Sequence, residues 1–238
     1  MRLRSIGTAW ATLLLTAGAA LGQGGTIRGT VSLAGAAPED AVLRVTKDQA
    51  VCGETVPANR LLVKDGRVRF AVVHLAGLEG TVTPDRITLM NRQCGFDPPV
   101  LAAAVGSTIE IGNADPVLHN THLRHGRRTV ANLALSHEGD MIENTRALRR
   151  AGLVEAECDA HEWMSAKIWV FDNPYFAVTD EAGSFEIPDV PPGTYALKVW
   201  HELLGELEQE VTVAADGTSS VEFSYSAERV ASAKEGEE

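Results

Sequence analysis

Long apolar runs are rare in this sequence of 238 residues. The run at residues 9–20 is shorter than the roughly 20 residues that a helix needs to span a bilayer. Long helical periodicity is also scarce, whereas turn-forming residues are frequent, with 22 glycines and 10 prolines. Short alternating segments between such turns are typical of β proteins, so we expect an all-β fold.

Several common functional motifs are missing as well. The sequence has no P-loop, no glycine-rich dinucleotide-binding motif and no Ser-His-Asp arrangement, so it gives no support for an enzyme of those kinds. Basic residues are outnumbered, and the net charge is −11. An acidic surface argues against nucleic acid and anionic lipid as partners.

The first 22 residues have the features of a secretory signal. Arg2 and Arg4 supply a positive start, residues 9–20 an apolar centre, and residues 20–22 small side chains at the cleavage-site spacing. We expect cleavage after residue 22 and a periplasmic or secreted protein with no membrane span afterwards. An uncleaved anchor is the alternative, but the apolar run is short for it.

Cysteine is scarce too, and its odd count is informative. Cys52 and Cys94 lie in turn-like contexts, and if they pair, the closed loop of about 43 residues would stabilise the fold by roughly 4 kcal/mol. Cys158 is then left over and must be free, intermolecular or metal-bound. In an oxidising compartment a bound metal is a good reason for an unpaired thiol.

The segment that begins at Cys158 places three possible metal donors within seven residues. They are the Cys158 thiolate, the His161 imidazole and the Met164 thioether, a set that suits copper better than zinc, calcium or magnesium. A copper electron-transfer site also needs a second imidazole. The candidates are His119, His122, His125 and His137.

The residues around His119 follow a pattern that is found in a known protein family. Asn113 and Asp115 form an Asn-x-Asp run before His119, and Asn120 follows it. With the Cys-x2-His-x2-Met spacing, residues 86–171 resemble the cupredoxins, the small blue copper proteins, and the short ligand loop looks most like that of the amicyanin type. The strand leading to the cysteine departs from the family, because it lacks the family's aromatic residues.

The resemblance implies a Greek-key β-sandwich with one type 1 copper centre. His119, Cys158 and His161 would lie in the plane of the metal, Met164 would be axial, and Asn120 would bond the loop that carries the cysteine. It also implies that His161 lies on an exposed loop, where its edge exchanges electrons with a redox protein partner.

Strand geometry also favours His119, although the role of His122 stays open. On a strand His119 and His122 face opposite ways, and His125 is about 20 Å further along.

Simpler interpretations exist for each of these residues. Cys158 could be a small buried hydrophobe, Met164 a core filler and His161 a surface residue. Zinc is the main rival metal, because one cysteine, two histidines and water make a good tetrahedral zinc site. The thioether argues for copper instead, and a copper oxidase would need further His-rich ligand pairs, which this chain lacks.

Residues 172–226 have a separate character. Residues 179–185 and 190–195 resemble the carboxypeptidase regulatory-like domain, a small prealbumin-type β-sandwich. That family normally begins with a strand reading Gly-x-Val/Ile-x-Gly-x-Val, and residues 25–31 have this pattern. His201 falls in this part, either as a structural residue or as a further metal ligand.

Two arrangements of the chain fit these resemblances. In one, the copper domain at residues 86–171 is inserted into a second small sandwich formed by residues 24–85 and 172–226. In the other, three modules follow one another. Residues 227–238 are expected to be disordered.

Two functions follow from these predictions. The first is an exported type 1 copper-binding protein, not an enzyme, that carries single electrons between redox partners. The alternative is a secreted copper-binding or carbohydrate- or surface-binding interaction module with a structural metal site.

Overall fold

A computed structural model describes residues 24–58 and 60–229. The expected signal at residues 1–22 and most of the expected disordered tail at residues 227–238 lie outside the described residues. Strands dominate, so the predicted all-β fold class is confirmed. No helix in the described part of the chain is long and apolar enough to cross a membrane.

The first part of the chain forms one long strand, several short ones and a short helix. They are β1 (Gly25–Ala34), β2 (Val42–Arg44), α1 (Gln49–Cys52), β3 (Thr55–Pro57), β4 (Val63–Lys64), β5 (Arg67–Val68) and β6 (Val72–Leu75). β4 and β5 form the hairpin that the Asp-Gly turn predicts, since Asp65 and Gly66 both have positive φ. Residues 67–73 are rich in apolar and β-branched side chains, but Phe70, at φ 63°, separates β5 from β6.

The middle of the chain forms two sheets that pack face to face. Its strands are β7 (Arg86–Arg92), β8 (Gly95–Asp97), β9 (Val100–Ala104), β10 (Thr108–Asn113), β11 (His119–His125), β12 (Arg128–Leu135), β13 (Met141–Asn144), β14 (Gly152–Glu157) and β15 (Ser165–Phe171). The strand orders are β13-β10-β7-β8 and β12-β11-β14-β15-β9. Between the sheets lies a core in which Leu89, Ile111, Leu123, Val154 and Ile168 are fully buried.

The last part of the chain completes a second pair of sheets. It contributes β16 (Phe176–Val178), β17 (Ser184–Val190), β18 (Gly193–His201), β19 (Gly205–Val213) and β20 (Thr218–Ser226). β1 is antiparallel to β17 and parallel to β20, so strands from both ends of the chain share one sheet, as the insertion hypothesis requires. The facing sheet has the order β16-β6-β18-β19. The division of the chain into domains stays a prediction.

An aromatic cluster joins the two pairs of sheets. The Phe171 and Phe176 ring centroids are 4.7 Å apart, those of Trp169 and Trp200 5.4 Å, and those of His74 and Phe171 5.1 Å. Phe171 and Trp169 come from β15, whereas the other three rings come from β6, β16 and β18. Burial lowers the pKa of His74, which favours an uncharged ring in this apolar contact.

Candidate metal centre

Three of the four expected ligand side chains meet in the core of residues 86–171. His119 begins β11, Cys158 directly follows β14, and His161 lies in the loop between β14 and β15. The Nδ1 atoms of His119 and His161 are 3.0 Å apart, and Cys158 Sγ lies 4.0 Å from the first and 3.7 Å from the second. Both histidines are fully buried, and Cys158 is 2% exposed.

The alternation of β14 places the sulfur in this core. Val154 and Ala156 are fully buried, and Cys158, two residues further on, continues the same face. The loop after it is compact, because the carbonyl of Cys158 accepts the N–H of His161 at 3.2 Å. In turn the His161 carbonyl accepts the N–H of Met164 at 3.0 Å. Strand and loop together therefore fix the expected ligand segment.

Each buried imidazole has a carboxylate on its far side. His119 Nε2 lies 3.0 Å from Asp115 Oδ2, and His161 Nε2 lies 2.8 Å from Asp48 Oδ2. An ionised carboxylate can only accept a hydrogen bond, so its partner favours a proton on Nε2 of each neutral ring. The two Nδ1 atoms then direct lone pairs at each other across 3.0 Å, an arrangement that a cation between them would stabilise.

The donor atoms have the spacing that a small metal ion needs. A point equidistant from the two Nδ1 atoms and the sulfur is about 2.1 Å from each, close to metal–nitrogen and metal–thiolate bond lengths. Burial, followed by the neighbouring His161, lowers the pKa of His119, and metal binding requires a neutral imidazole. The residues present therefore fit a transition metal.

A second cluster of possible ligands overlaps the first. Cys94, Asp115 and His119 also bring three donor atoms together. Cys94 is bonded to Cys52, which confirms the expected disulfide and removes this sulfur as a thiolate donor. The cluster of His119, Cys158 and His161 is therefore the better metal site.

The disulfide connects the supports of both histidines. Asp115 accepts the N–H groups of Gln93 at 2.7 Å and Cys94 at 2.9 Å, and positive φ angles at these two residues turn both N–H groups towards it. On the other side of the disulfide, Asp48 directly precedes α1, and Cys52 ends that helix. The disulfide therefore joins the segment that carries Asp48 to the turn that binds Asp115.

Asn120 holds the ligand loop, as the resemblance implies. Its Oδ1 accepts the N–H of Ala160 at 3.1 Å and lies 3.5 Å from Cys158 Sγ. Its Nδ2 donates to the side chains of Asp159 and Asn132, both at 2.9 Å. The amide thus links β11 to the loop on which the cysteine lies.

Met164 and Trp163 complete the surroundings of the cluster. Met164 is 2% exposed and belongs to the same apolar core as Cys158. The Trp163 ring centroid lies 5.0 Å from that of His161, and its Nε1 donates to the Cys94 carbonyl at 2.9 Å. Trp163 therefore joins a candidate ligand to the disulfide.

The remaining candidate histidines lie elsewhere. His122 points to the other face of β11, where Nδ1 is 2.9 Å from Asp159 Oδ1 and Nε2 is 2.7 Å from Thr129 Oγ1. His137 is 83% exposed. His201 is buried in the other pair of sheets, where burial, with a smaller effect of Arg60, lowers its pKa to about 4.

The expectation that His161 is exposed is wrong for this chain. The ring is fully buried, with Asp48 at its outer nitrogen and Trp163 against its face. No motif in the sequence marks Asp48 or Trp163. The disulfide was the available signal for Asp48, because Asp48 lies only four residues before Cys52 and pairing places that segment near Cys94.

Comparison with family models gives one match. A model described as polysaccharide lyase family 4, domain II, matches residues 159–221, which cross the expected boundary at residue 171. This is not the carboxypeptidase regulatory-like domain, so that resemblance stays a prediction. No curated protein sequence matches the chain.

Similar solved structures include several copper proteins. A purple cupredoxin from Nitrosopumilus maritimus is 20% identical, covers 35% of this chain and 98% of its own, and has a TM-score of 0.29. The blue copper protein auracyanin A from Chloroflexus aurantiacus is 18% identical over 37% of this chain and 100% of its own, with a TM-score of 0.31.

A third similar structure is that of an enzyme. The copper-containing nitrite reductase from Thermus scotoductus SA-01 is 20% identical over 47% of this chain and 25% of its own, with a TM-score of 0.32. All three TM-scores are too low to carry an argument about this chain, so the case for a metal rests on the geometry of the cluster.

Proposed function

We propose that this protein is an exported type 1 copper-binding protein that carries single electrons between redox partners. The observation that carries the proposal is the buried triangle of His119 Nδ1, His161 Nδ1 and Cys158 Sγ. Two imidazoles and one thiolate are the equatorial donors of copper electron-transfer sites.

The chain's own residues have distinct roles in this proposal. His119, His161 and Cys158 would hold the metal, and the Met164 thioether would be a further donor that favours copper over zinc. Bound copper supplies a one-electron redox couple. Asp115 and Asp48 orient the rings of His119 and His161 through their Nε2 atoms. Hydrogen bonds of this kind keep metal ligands in place.

Burial of the site supports an electron carrier over an enzyme. The four expected ligands are at most 2% exposed, so the core excludes water and leaves no ligand edge open to a substrate. An electron, unlike a substrate, needs no open coordination position. A rigid and dry site also keeps the ligand geometry similar in the two oxidation states.

Export and the choice of partners belong to the same proposal. The leader-like residues 1–22 and the disulfide between Cys52 and Cys94 support an oxidising compartment such as the periplasm or the exterior. The partners are redox proteins, and the acidic net charge of −11 disfavours nucleic acid.

Copper titration of the purified apoprotein tests the proposal. Copper(II) should produce an intense visible charge-transfer band that is bleached and restored by one-electron reduction and reoxidation. Cys158→Ser should abolish the band, because the band depends on the thiolate, while circular dichroism shows that the strands remain. A copper-bound wild type without this band would overturn the proposal and would favour the interaction module with a structural metal.

A further inference from the structure

The candidate copper site has no exposed ligand edge. His119 and His161 are fully buried, and Cys158 and Met164 are each 2% exposed. The outer nitrogen of each imidazole faces a carboxylate rather than solvent. With ligands this deeply buried, we expect the main path of an electron to a partner to cross a residue that does not bind the metal.

Trp163 lies between a candidate ligand and the surface. Its ring centroid is 5.0 Å from that of His161, with the two planes inclined at 55°. The hydrogen bond from Nε1 to the Cys94 carbonyl, 2.9 Å long, fixes the orientation of the indole. The residue is partly exposed and lines a surface cleft of about 300 Å³. One aromatic ring thus extends from His161 towards solvent.

The cleft has a charge that differs from that of the protein as a whole. Arg69 and Arg92 line it, whereas Asp97 is the one carboxylate among its lining residues. Phe70 and Phe96 supply apolar walls. Arg92 is paired with Asp97 at 3.2 Å and Arg69 with Glu181 at 3.4 Å, so the cleft is close to neutral. In a chain of net charge −11, an anionic partner is therefore repelled less at this cleft than the net charge suggests.

We propose that Trp163 is the residue through which electrons pass between the copper site and partners at this cleft. This inference rests on the proposed function. In each event one electron moves to or from a one-electron carrier that approaches without bonding to the metal. No bond is made or broken, no proton moves, and the indole provides electronic coupling without being oxidised.

Asp48 provides the competing path. Its carboxylate is 2.8 Å from His161 Nε2, and its side chain is 35% exposed. An electron could cross this hydrogen bond instead of the indole. The ring contact at Trp163 opens onto a cleft with apolar walls and paired charges that can receive a partner, which is why we assign the path there.

Stopped-flow reduction and oxidation of the copper-loaded protein test the assignment. Hexacyanoferrate, an anionic one-electron reagent, serves as the partner. Variants of one binding surface commonly differ in rate constant by about one to three decades, and we expect Trp163→Leu to lower the second-order rate constant by about tenfold. Trp163→Phe keeps an aromatic ring beside His161 and should recover most of the rate.

The matched control is Trp200→Leu. Trp200 is also partly exposed, but it contacts Trp169 in the junction between the sheets. The rate constant of Trp200→Leu should equal that of the wild type. The visible band and the midpoint potential should be the same in all these variants, which separates a change of path from a change of the metal site.

Tryptophan fluorescence provides a readout that needs no electron exchange. Bound copper should quench the emission of Trp163 strongly, because its ring contacts His161. The quenched fraction should fall in Trp163→Leu and rise in Trp200→Leu, because the second variant loses a tryptophan that copper does not quench. Equal quenching in both variants would contradict the contact on which the inference depends.

The outcomes separate the inference from the proposed function. An unchanged rate constant in both Trp163 variants, with the band intact, overturns the inference. A rate loss in Asp48→Ala at unchanged midpoint potential, with none in Trp163→Leu, overturns it in favour of the carboxylate path. If the wild type shows no band, the proposed function itself fails before any variants are compared.

Discussion

Asp48 and Asp115 lie behind the two buried histidines and determine which nitrogen of each ring faces the sulfur. Their contacts with Nε2, at 2.8 and 3.0 Å, favour the tautomer that leaves Nδ1 free to bind a metal. Neither residue is a candidate ligand in the triangle. Both would act on a bound metal through the imidazole that each one contacts.

Asp48→Asn should weaken copper binding. The amide keeps the shape of the side chain but removes the negative charge that supports His161, and losses of about 10- to 100-fold in metal affinity are typical of such changes. Asp65→Asn is the matched control, because both aspartates have positive φ, which asparagine tolerates. Competition with a chelator measures both affinities, and equal values would contradict the role given to Asp48.

His201 should make the stability of the fold depend on pH. Burial lowers its pKa to about 4 in the folded chain, whereas the pKa of a histidine in the unfolded chain is near 6.5. The contribution of the uncharged, buried ring to stability is therefore complete above pH 6.5. As the pH falls from 6.5 to 4, the free energy of unfolding should decrease by roughly 3 kcal/mol. Urea unfolding across this range measures the decrease.

A pair of variants isolates this effect. His201→Gln should flatten the dependence on pH between 6.5 and 4, because the titrating group is gone. His137→Gln makes the same change at a side chain that is 83% exposed and should leave the dependence as in the wild type. Parallel curves for wild type and His201→Gln would assign the acid sensitivity to another group.

The sequence predicted the residues of the candidate site better than their surroundings. Motif spacing marked His119, Cys158 and His161, and the structure brings these three together. Asp48 belongs to no motif and is 113 residues from His161 in the chain, so its only sequence signal was the expected pairing of Cys52 with Cys94. The exposure of His161 was inferred from a family resemblance and failed because this chain adds a covering segment.

That covering segment is the main feature at the scale of single elements. α1 is one helical turn, and the disulfide attaches its last residue, Cys52, to the turn between β7 and β8. A helix of this length is not stable by itself in water. Its position over His161 therefore depends on the disulfide and on the small apolar cluster around Val45, Val56 and Cys94.

Removal of the disulfide should affect stability and metal binding together. The double substitution Cys52→Ala and Cys94→Ala opens a loop of about 43 residues, which corresponds to about 4 kcal/mol of unfolding free energy in the chain-entropy model. Copper affinity should fall as well, because Asp48 loses its anchor. Val51→Ala, at a 43% exposed site on the same helix, is the control.

Urea unfolding and chelator competition on the same samples check both effects. Reduced stability with wild-type copper affinity would show that α1 keeps its place without the covalent link.

Strand prediction succeeded where alternation was regular and failed where elements were short. β1 and β14 alternate clearly and were found. α1 was missed because four residues are too few to show a helical period. β13 is equally hard to recognise from sequence, because it is a four-residue edge strand with no fully buried side chain to mark it.

At the scale of the whole molecule, β1 holds the two ends of the chain together. It pairs with β17 and β5 on one side and with β20 on the other. The middle of the chain leaves this sandwich after β6 and returns to it at β16. A resemblance to a strand pattern at residues 25–31 suggested the shared sheet. Periodicity alone could not, because it carries no information about distant partners.

Gly29→Ala should destabilise the whole chain through β1. The added Cβ would collide with the backbone carbonyl of Val221 on one side and the Phe185 ring on the other. Overpacking of this kind costs about 1–3 kcal/mol, which urea unfolding would detect. Gly95→Ala is the control, since the nearest atom to its new Cβ would be 3.7 Å away. Equal stabilities of the two variants would contradict the tight packing of β1.

The pairing of β1 with β20 also sets an order of assembly during synthesis. The paired residues are about 190 positions apart. This edge of β1 therefore has no partner strand until almost the entire chain has left the ribosome. The strands of residues 86–171 find their partners among themselves and can assemble sooner. The half of the molecule that contains the candidate metal ligands is therefore expected to fold first, and the last strand to emerge closes the sheet that the first strand began.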